Sequence, residues 1–336
     1  MEMVQAVCEA KHHTAIVLAT GGGKSLSYIL PPLLEPTGIT LVIIPLVALL
    51  SDIRGRMRSF PSIKWSCWPN DFNGSSRDIA SERIIFFQVE HASSRNGAAF
   101  ISQLVAAKLV KRVIIDEAHQ VLTASHYRQS MNDLSLLSQF PVPIFLLTAT
   151  LAPHSQNELA VYLGIPPPSL HTIRAPSTVR DNIHIEVNHL AGSKQDLLME
   201  VTSLMNGRFK LTPGKRGLVF IPSVQTGRDL SKLTGWDFYT AQDDPIVREG
   251  YLQKFKASDA SWLLGTCGLG QGVDLSNIST VIHCGSPFDF TGYVQEMGRA
   301  GRDGSPATAF MLYTSPRIHK RAQWNIGRVP PDLLDI

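Results

Sequence analysis

The stretch TAIVLATGGGKSLSYILPP, Thr14 to Pro32, runs from an apolar segment through three consecutive glycines to Lys24 and Ser25, and then into a second apolar segment. An apolar run that ends in a tight glycine turn before a helix is the pattern of a buried strand feeding a phosphate cradle. Side chains in such a turn would block successive backbone N–H groups from phosphate oxygens, and Gly21, Gly22 and Gly23, after Thr20, remove them. Lys24 then offers a positive charge to the terminal phosphates, and Ser25 a hydroxyl to Mg²⁺. One position departs from the pattern G-x-x-x-x-G-K-[ST]: Leu18 stands where the first glycine is expected.

Outward from this loop, short runs rich in Val, Ile, Leu and Phe recur: ITLVIIP from Ile39, RIIFFQV from Arg83, RVIIDEA from Arg112 and PIFLLTA from Pro143. They are apolar at nearly every position rather than every second one, which suits strands buried on both faces of a parallel sheet. The segments between them, such as Ala98 to Lys111, have the length of crossover helices. At GIPPPSLHTIRAPSTVRDN, Gly164 to Asn182, prolines and small polar residues crowd together without apolar periodicity, the composition of a linker. A second series follows: HIEV, RGLVFIPS, SWLLGTC, TVIHCG and TAFMLYT. The sequence therefore predicts two doubly wound α/β domains in tandem, over residues 1–165 and 183–316, with a linker at 166–182 and a short tail at 317–336.

Bulk composition agrees with that size. A chain of 336 residues suits two cores better than one. With 44% hydrophobic and 18% charged residues it reads as folded protein. The net charge of +3 permits a nucleic-acid partner without arguing for one. Cys8, Cys67, Cys267 and Cys284 lie far apart with no C-x-x-C pair, so neither a disulfide framework nor structural zinc is expected. The opening MEMVQAVCEAKHH carries acids and histidines where a secretory signal needs a basic start and an apolar core. The longest apolar run, Ile39 to Leu50, is broken by Pro45 and too short to span a bilayer, so no membrane partner is expected.

Two further motifs carry chemistry. KRVIIDEAHQ sets Asp116 and Glu117 at the end of an apolar strand, where one acid can reach a metal and its neighbour can polarise a water as general base. The same pair could instead serve as a helix N-cap. In YVQEMGRAGRDG, Arg299 and Arg302 are three apart, on one face if helical, and each could stabilise charge on a transferred phosphoryl group. Trp65 and Trp68 in KWSCWPN could stack on bases, with packing the commoner role for such a pair. His12, His13, His283 and Cys284 have no partners at metal-ligand spacing.

Taken together, ATGGGKS, DEAH, TAT, GLGQGVD and QEMGRAGRDG resemble, in order and spacing, the motifs of superfamily 2 helicases. TGGGKSLSYILP, PLVALLSD and YVQEMGRAGRDGSPATAFMLY are most similar to the RecQ group of DNA helicases. The resemblance covers nearly the whole chain. It implies two RecA-like domains of the P-loop NTPase class, ATP with Mg²⁺ between them, and 3′ to 5′ movement on single-stranded or partly duplex DNA in repair or recombination. It also implies a monomer and nuclear residence.

By the same resemblance, Lys24 and Ser25 match ATP and Mg²⁺ ligands, Asp116 and Glu117 the metal-binding and water-activating acids, and His119, Thr148 and Thr150 the residues that couple hydrolysis to movement. Gly272, Asp274, Gln295, Arg299 and Arg302 match the second domain's contribution to the nucleotide. Pro45, Leu46, Ser223 and Thr266 match backbone-contacting motifs on a strand, and Tyr127 and Arg128 lie in the loop that senses DNA. Such contacts carry no base code. Three departures accompany the likeness. An adenine-gripping element is expected upstream of MEMVQAV and Gln5 is a poor substitute for it; the loop after DEAH keeps Tyr127 as its one aromatic; and no cysteine cluster or winged-helix segment follows the motor. An RNA helicase of the same superfamily, and a truncated nucleic-acid-binding remnant without turnover, stay open as alternatives.

Overall fold

The computed structural model describes residues 2–45, 53–72, 78–124, 129–177, 180–270, 275–288 and 290–314. They divide into two compact units, one within 1–179 and the other within 180–336.

The first unit is built on seven strands: β1 (His13–Val17), β2 (Ile39–Ile44), β3 (Trp65–Trp68), β4 (Ile84–Gln88), β5 (Val110–Ile115), β6 (Ile144–Thr148) and β7 (Leu170–Arg174). Their order is β3-β4-β2-β5-β6-β1-β7, and every pairing is parallel. All six residues of β2 and all five of β6 are buried. Side chains alternate between two apolar layers: Ile39, Leu41 and Ile43 enter one, Val42 and Ile44 the other. A strand covered on both faces has no polar face to show, which is why its sequence reads as an unbroken apolar run. Helices α1 (Glu2–Glu9), α2 (Leu26–Leu34), α3 (Arg95–Ala106) and α4 (Gln156–Tyr162) belong to this unit.

The second unit repeats the plan with β8 (Ile183–Leu190), β9 (Arg216–Phe220), β10 (Phe238–Tyr239), β11 (Ser261–Gly265), β12 (Ile278–Cys284) and β13 (Ala307–Thr314), ordered β10-β11-β9-β12-β13-β8 and again wholly parallel. Its helices are α5 (Lys194–Asn206), α6 (Val224–Thr234), α7 (Pro245–Ala257) and α8 (Phe290–Met297). Local chemistry starts them: Ser193 and Asp196 form a reciprocal capping box at α5, and Asp244 caps α7 ahead of Pro245. No helix among the described residues is long and apolar enough to cross a membrane.

The proline-rich stretch read as a linker differs in one respect. Leu170–Arg174 within it forms β7, paired along its length with β1. It is an edge strand with one partner, and its residues 171 and 172 are exposed, so it lacks the apolar run that marks the inner strands.

Candidate functional site

In the first unit β2, β5, β6 and β1 are successive neighbours, so the loops that leave their carboxyl ends arrive on one edge of the sheet. After β1, Gly21 and Gly23 take φ of +82° and +77°, where side chains are strained. A Cβ on Gly22 would lie 2.9 Å from the Ala19 carbonyl oxygen, so backbone geometry as well as access requires glycine. Thr20 is half-buried in this loop. Lys24 Nζ donates to Leu18 O at 3.1 Å and Ala19 O at 3.2 Å. Ser25 directly precedes α2, and its Oγ accepts a 2.7 Å hydrogen bond from Arg56 Nη1, which comes from helical residues 53–57.

After β5 the Asp116 N–H still donates to Ile43 O at 3.0 Å, which fixes the acid at the sheet edge. Its Oδ1 accepts from the Glu117 N–H at 3.0 Å. Burial first, and then the Glu117 carboxylate, push the Asp116 carboxyl up to about 6, while the positive charges of Lys24 and Arg56 pull it down. Glu117 sits at φ +46°, a left-handed conformation that costs a non-glycine residue on the order of 1 kcal/mol. Strain of this kind marks a residue whose placement is worth more than its comfort.

One residue further the Ala118 N–H donates to Leu147 O at 2.9 Å, which ties the acidic turn to β6. His119, buried, brings Nδ1 to 3.0 Å from Thr148 Oγ1 and 3.4 Å from Glu117 Oε2. Thr148 Oγ1 also accepts from the Thr150 N–H at 3.1 Å. Thr150 Oγ1 is buried and finds no hydrogen-bond partner among the described residues. The structure thus brings together Lys24, Ser25, Asp116, Glu117, His119, Thr148 and Thr150, and Pro45 follows β2 on the same edge.

These residues fit a phosphate bound with a divalent cation. A glycine turn with two positive φ angles and no room for a Cβ at Gly22, a lysine, a hydroxyl and a buried carboxylate form the donor set such a ligand needs. Lys24 and Ser25 would hold phosphate and metal, and Asp116 the metal.

In the second unit Ser223 caps α6, its Oγ accepting from the Thr226 N–H at 3.4 Å. The Thr266 N–H donates to Tyr239 O at 3.2 Å, and the Ile221 N–H to Gly265 O at 2.9 Å. Ser223 and Thr266 therefore follow adjacent strands, β9 and β11, on one carboxyl edge.

Arg299 and Arg302 would share a face if helical, and the structure places them outside the helix. Helix α8 ends at Met297, with Gln295 half-buried in its last turn, and both arginines follow in turns. Glycines stop the helix: Gly301 lies at φ +55° and Gly304 at +82°. Arg299 is buried and Arg302 half-buried. The Gly301 N–H donates to Ile278 O at the start of β12, so the arginine turn sits at the opposite end of this sheet from Ser223 and Thr266. The expectations for Leu46, Tyr127, Arg128, Gly272 and Asp274 lie outside the described residues.

Some partners had no sequence signal. Arg56 and His283 lie far along the chain from the groups they meet. His283, isolated in sequence, is buried with Nε2 2.9 Å from Glu296 Oε2, and its ring packs against Phe220 and Tyr293. Trp68 stacks on Phe100 with ring centroids 4.0 Å apart, and Trp65 meets Phe86 edge-on, so both serve packing.

Comparison with known proteins agrees with this plan. Residues 1–159 match the family DEAD/DEAH box helicase, and residues 193–304 match the family Helicase conserved C-terminal domain. The ATP-dependent DNA helicase Q1 of Rattus norvegicus is 29% identical over 333 residues, which cover 93% of this chain and 52% of that protein. The RecQ-like DNA helicase blm-1 of Caenorhabditis elegans is 30% identical over 325 residues, covering 90% of this chain and 32% of that protein. The chain thus spans about half the length of the first relative and about a third of the second. Among solved structures, DEAD-box helicase Mss116 bound to ssRNA and UDP-BeF shares the fold, with a TM-score of 0.73 at 14% identity over 97% of this chain and 72% of that one. With the glycine loop and acid pair in the first matched region and the arginine turn in the second, the chain is a helicase core of two RecA-like α/β domains, similar over about nine-tenths of its length to RecQ-like DNA helicases.

Proposed function

We propose that this chain is an ATP-hydrolysing DNA motor, a RecQ-type helicase or translocase that couples hydrolysis to movement along single-stranded DNA. The observation that carries the reading is the His119 to Thr148 contact at 3.0 Å, which joins the acidic turn to the threonine loop on the edge that also holds the glycine cradle. A group that senses the nucleotide is thereby linked to one that follows a different strand.

In this reading the glycine turn and Lys24 bind the phosphates, and Asp116 and Ser25 hold Mg²⁺. Bound Mg²⁺ would neutralise charge on the phosphates. Glu117 takes the proton of the attacking water, and Arg302 with Arg299 stabilises charge on the transferred phosphoryl group. Pro45, Ser223 and Thr266 hold a nucleic-acid backbone without reading its sequence. Preference for DNA is supported by the names of the relatives, which are ATP-dependent DNA helicases; 3′ to 5′ polarity, a repair or recombination role and nuclear work belong to the same reading.

Steady-state ATP hydrolysis tests the reading, run without nucleic acid, with single-stranded DNA and with single-stranded RNA, against Lys24→Ala as blank. Stimulation by DNA above RNA is expected. Stimulation by RNA alone would make the chain an RNA motor, and no turnover above the blank would leave it a binding protein.

A further inference from the structure

We propose that Arg180 is a positioning residue for Arg299 and Arg302, a strap whose guanidinium holds the turn that carries them. The proposal rests on the role given above to those two arginines.

Arg180 lies just before β8, far from the arginine turn in sequence. Its Nη2 donates to Gly298 O at 2.6 Å and also to Ala300 O, and its Nη1 donates to Gly301 O at 3.1 Å. A chain leaving a helix carries carbonyl groups with no helical donor and partial negative charge. Here the cap comes from outside the helix, and a rigid fork of donors meets three acceptors at once. Asn182 extends the strap: its Nδ2 donates to Gly301 O at 2.8 Å and Ser305 O at 2.7 Å, and its own carbonyl accepts from the Ala307 N–H at 2.9 Å. A Cβ on Gly301 would fall 2.5 Å from Asn182 Nδ2 and 2.7 Å from Ser305 O, so the turn is fitted to its strap.

The side-chain donors of Arg180 and Asn182 all end on backbone carbonyls of this segment, so the strap fixes the path of its backbone. The strap also brings like charges together. Burial and then the Arg302 charge lower the Arg180 affinity for its proton, with Asp303 opposing.

The test is a double-mutant cycle on DNA-stimulated ATP hydrolysis with Arg180→Gln, Arg302→Ala and the pair, each checked by thermal melting. Arg180→Gln is expected to lower kcat about tenfold with the KM for ATP within about twofold, as misplacement of a catalytic group does. Added to Arg302→Ala it should lower kcat by clearly less than its own tenfold, about threefold at most, since only Arg299 remains to be positioned. Arg180→Lys, which keeps the charge but not the fork, should be intermediate, and it serves as the readout if Arg180→Gln melts too low to assay. Wild-type kcat in a folded Arg180→Gln, or losses that multiply in the pair, overturns the proposal while leaving the arginine reading intact. Wild-type kcat in Arg302→Ala overturns that reading itself, and the proposal with it.

Discussion

Arg56 donates a 2.7 Å hydrogen bond to the Ser25 hydroxyl, the oxygen assigned to the metal. A guanidinium on that oxygen competes with a cation for it. Arg56→Gln is therefore expected to lower the KM for Mg·ATP about fivefold, the equivalent of ~1 kcal/mol for one partly exposed charged bond. ATP titration of steady-state turnover measures it. A raised KM would assign Arg56 to the phosphates instead.

Glu117→Gln keeps the size of the side chain at the strained φ of +46° and removes only the proton acceptor. Hydrolysis should fall at least about a hundredfold while nucleotide affinity stays within about threefold. Fluorescent-nucleotide binding beside single-turnover hydrolysis separates the two, and unchanged turnover would remove Glu117 from the role of base.

Asp116 titrates near 6 in the folded chain, above the ordinary carboxylate value, with burial as the first cause and Glu117 as the second. Folding therefore takes up a proton between the ordinary value and that point, and stability is lost as pH rises through the window. Asp116→Asn keeps an acceptor for the Glu117 N–H and removes the buried charge. It should melt a few degrees above wild type at about pH 7.5, a gain on the order of 2 kcal/mol, and the gain should vanish at about pH 3. Melting curves across pH decide this, and a constant offset would show that the charge is not the cause.

Thr148→Val leaves His119 Nδ1 and the Thr150 N–H without the hydroxyl they share. A stability loss of about 1–3 kcal/mol is expected from the stranded buried groups. Basal hydrolysis should persist while stimulation by single-stranded DNA drops severalfold. Equal loss of both activities would make the contact part of hydrolysis itself rather than of coupling.

Much of this was legible in the sequence because parallel strands buried on both faces leave unbroken apolar runs. The ten quoted runs correspond to β1, β2, β4, β5, β6, β8, β9, β11, β12 and β13. The edge strands β3, β7 and β10 escaped notice, since β3 has four residues, β7 is half-exposed and β10 has two residues. At the site, glycines and acids announce themselves because the backbone shape and the charge each requires permit few other residues. Arg56, Arg180 and Glu296 do not, because each acts on a partner that only tertiary structure brings near, and an arginine at a loop or helix end reads like any solvated charge. Whether the arginines lie on a helix was not legible for a related reason: three-residue spacing is shared by helices and by glycine-broken turns.

The position of β1 has a consequence for biosynthesis. Among the described residues its neighbours are β6 and β7, with Thr14 opposite Phe145 and His13 opposite Leu170. β1 thus has no described strand to pair with until the chain has been made through Thr148, and the glycine loop it carries stays unanchored until then. Such long sequence separation between paired strands slows folding and leaves an apolar segment bare in the meantime. Nascent chains stalled before β6 should therefore engage chaperones through Thr14–Val17, and nucleotide binding should appear only after β6 has emerged.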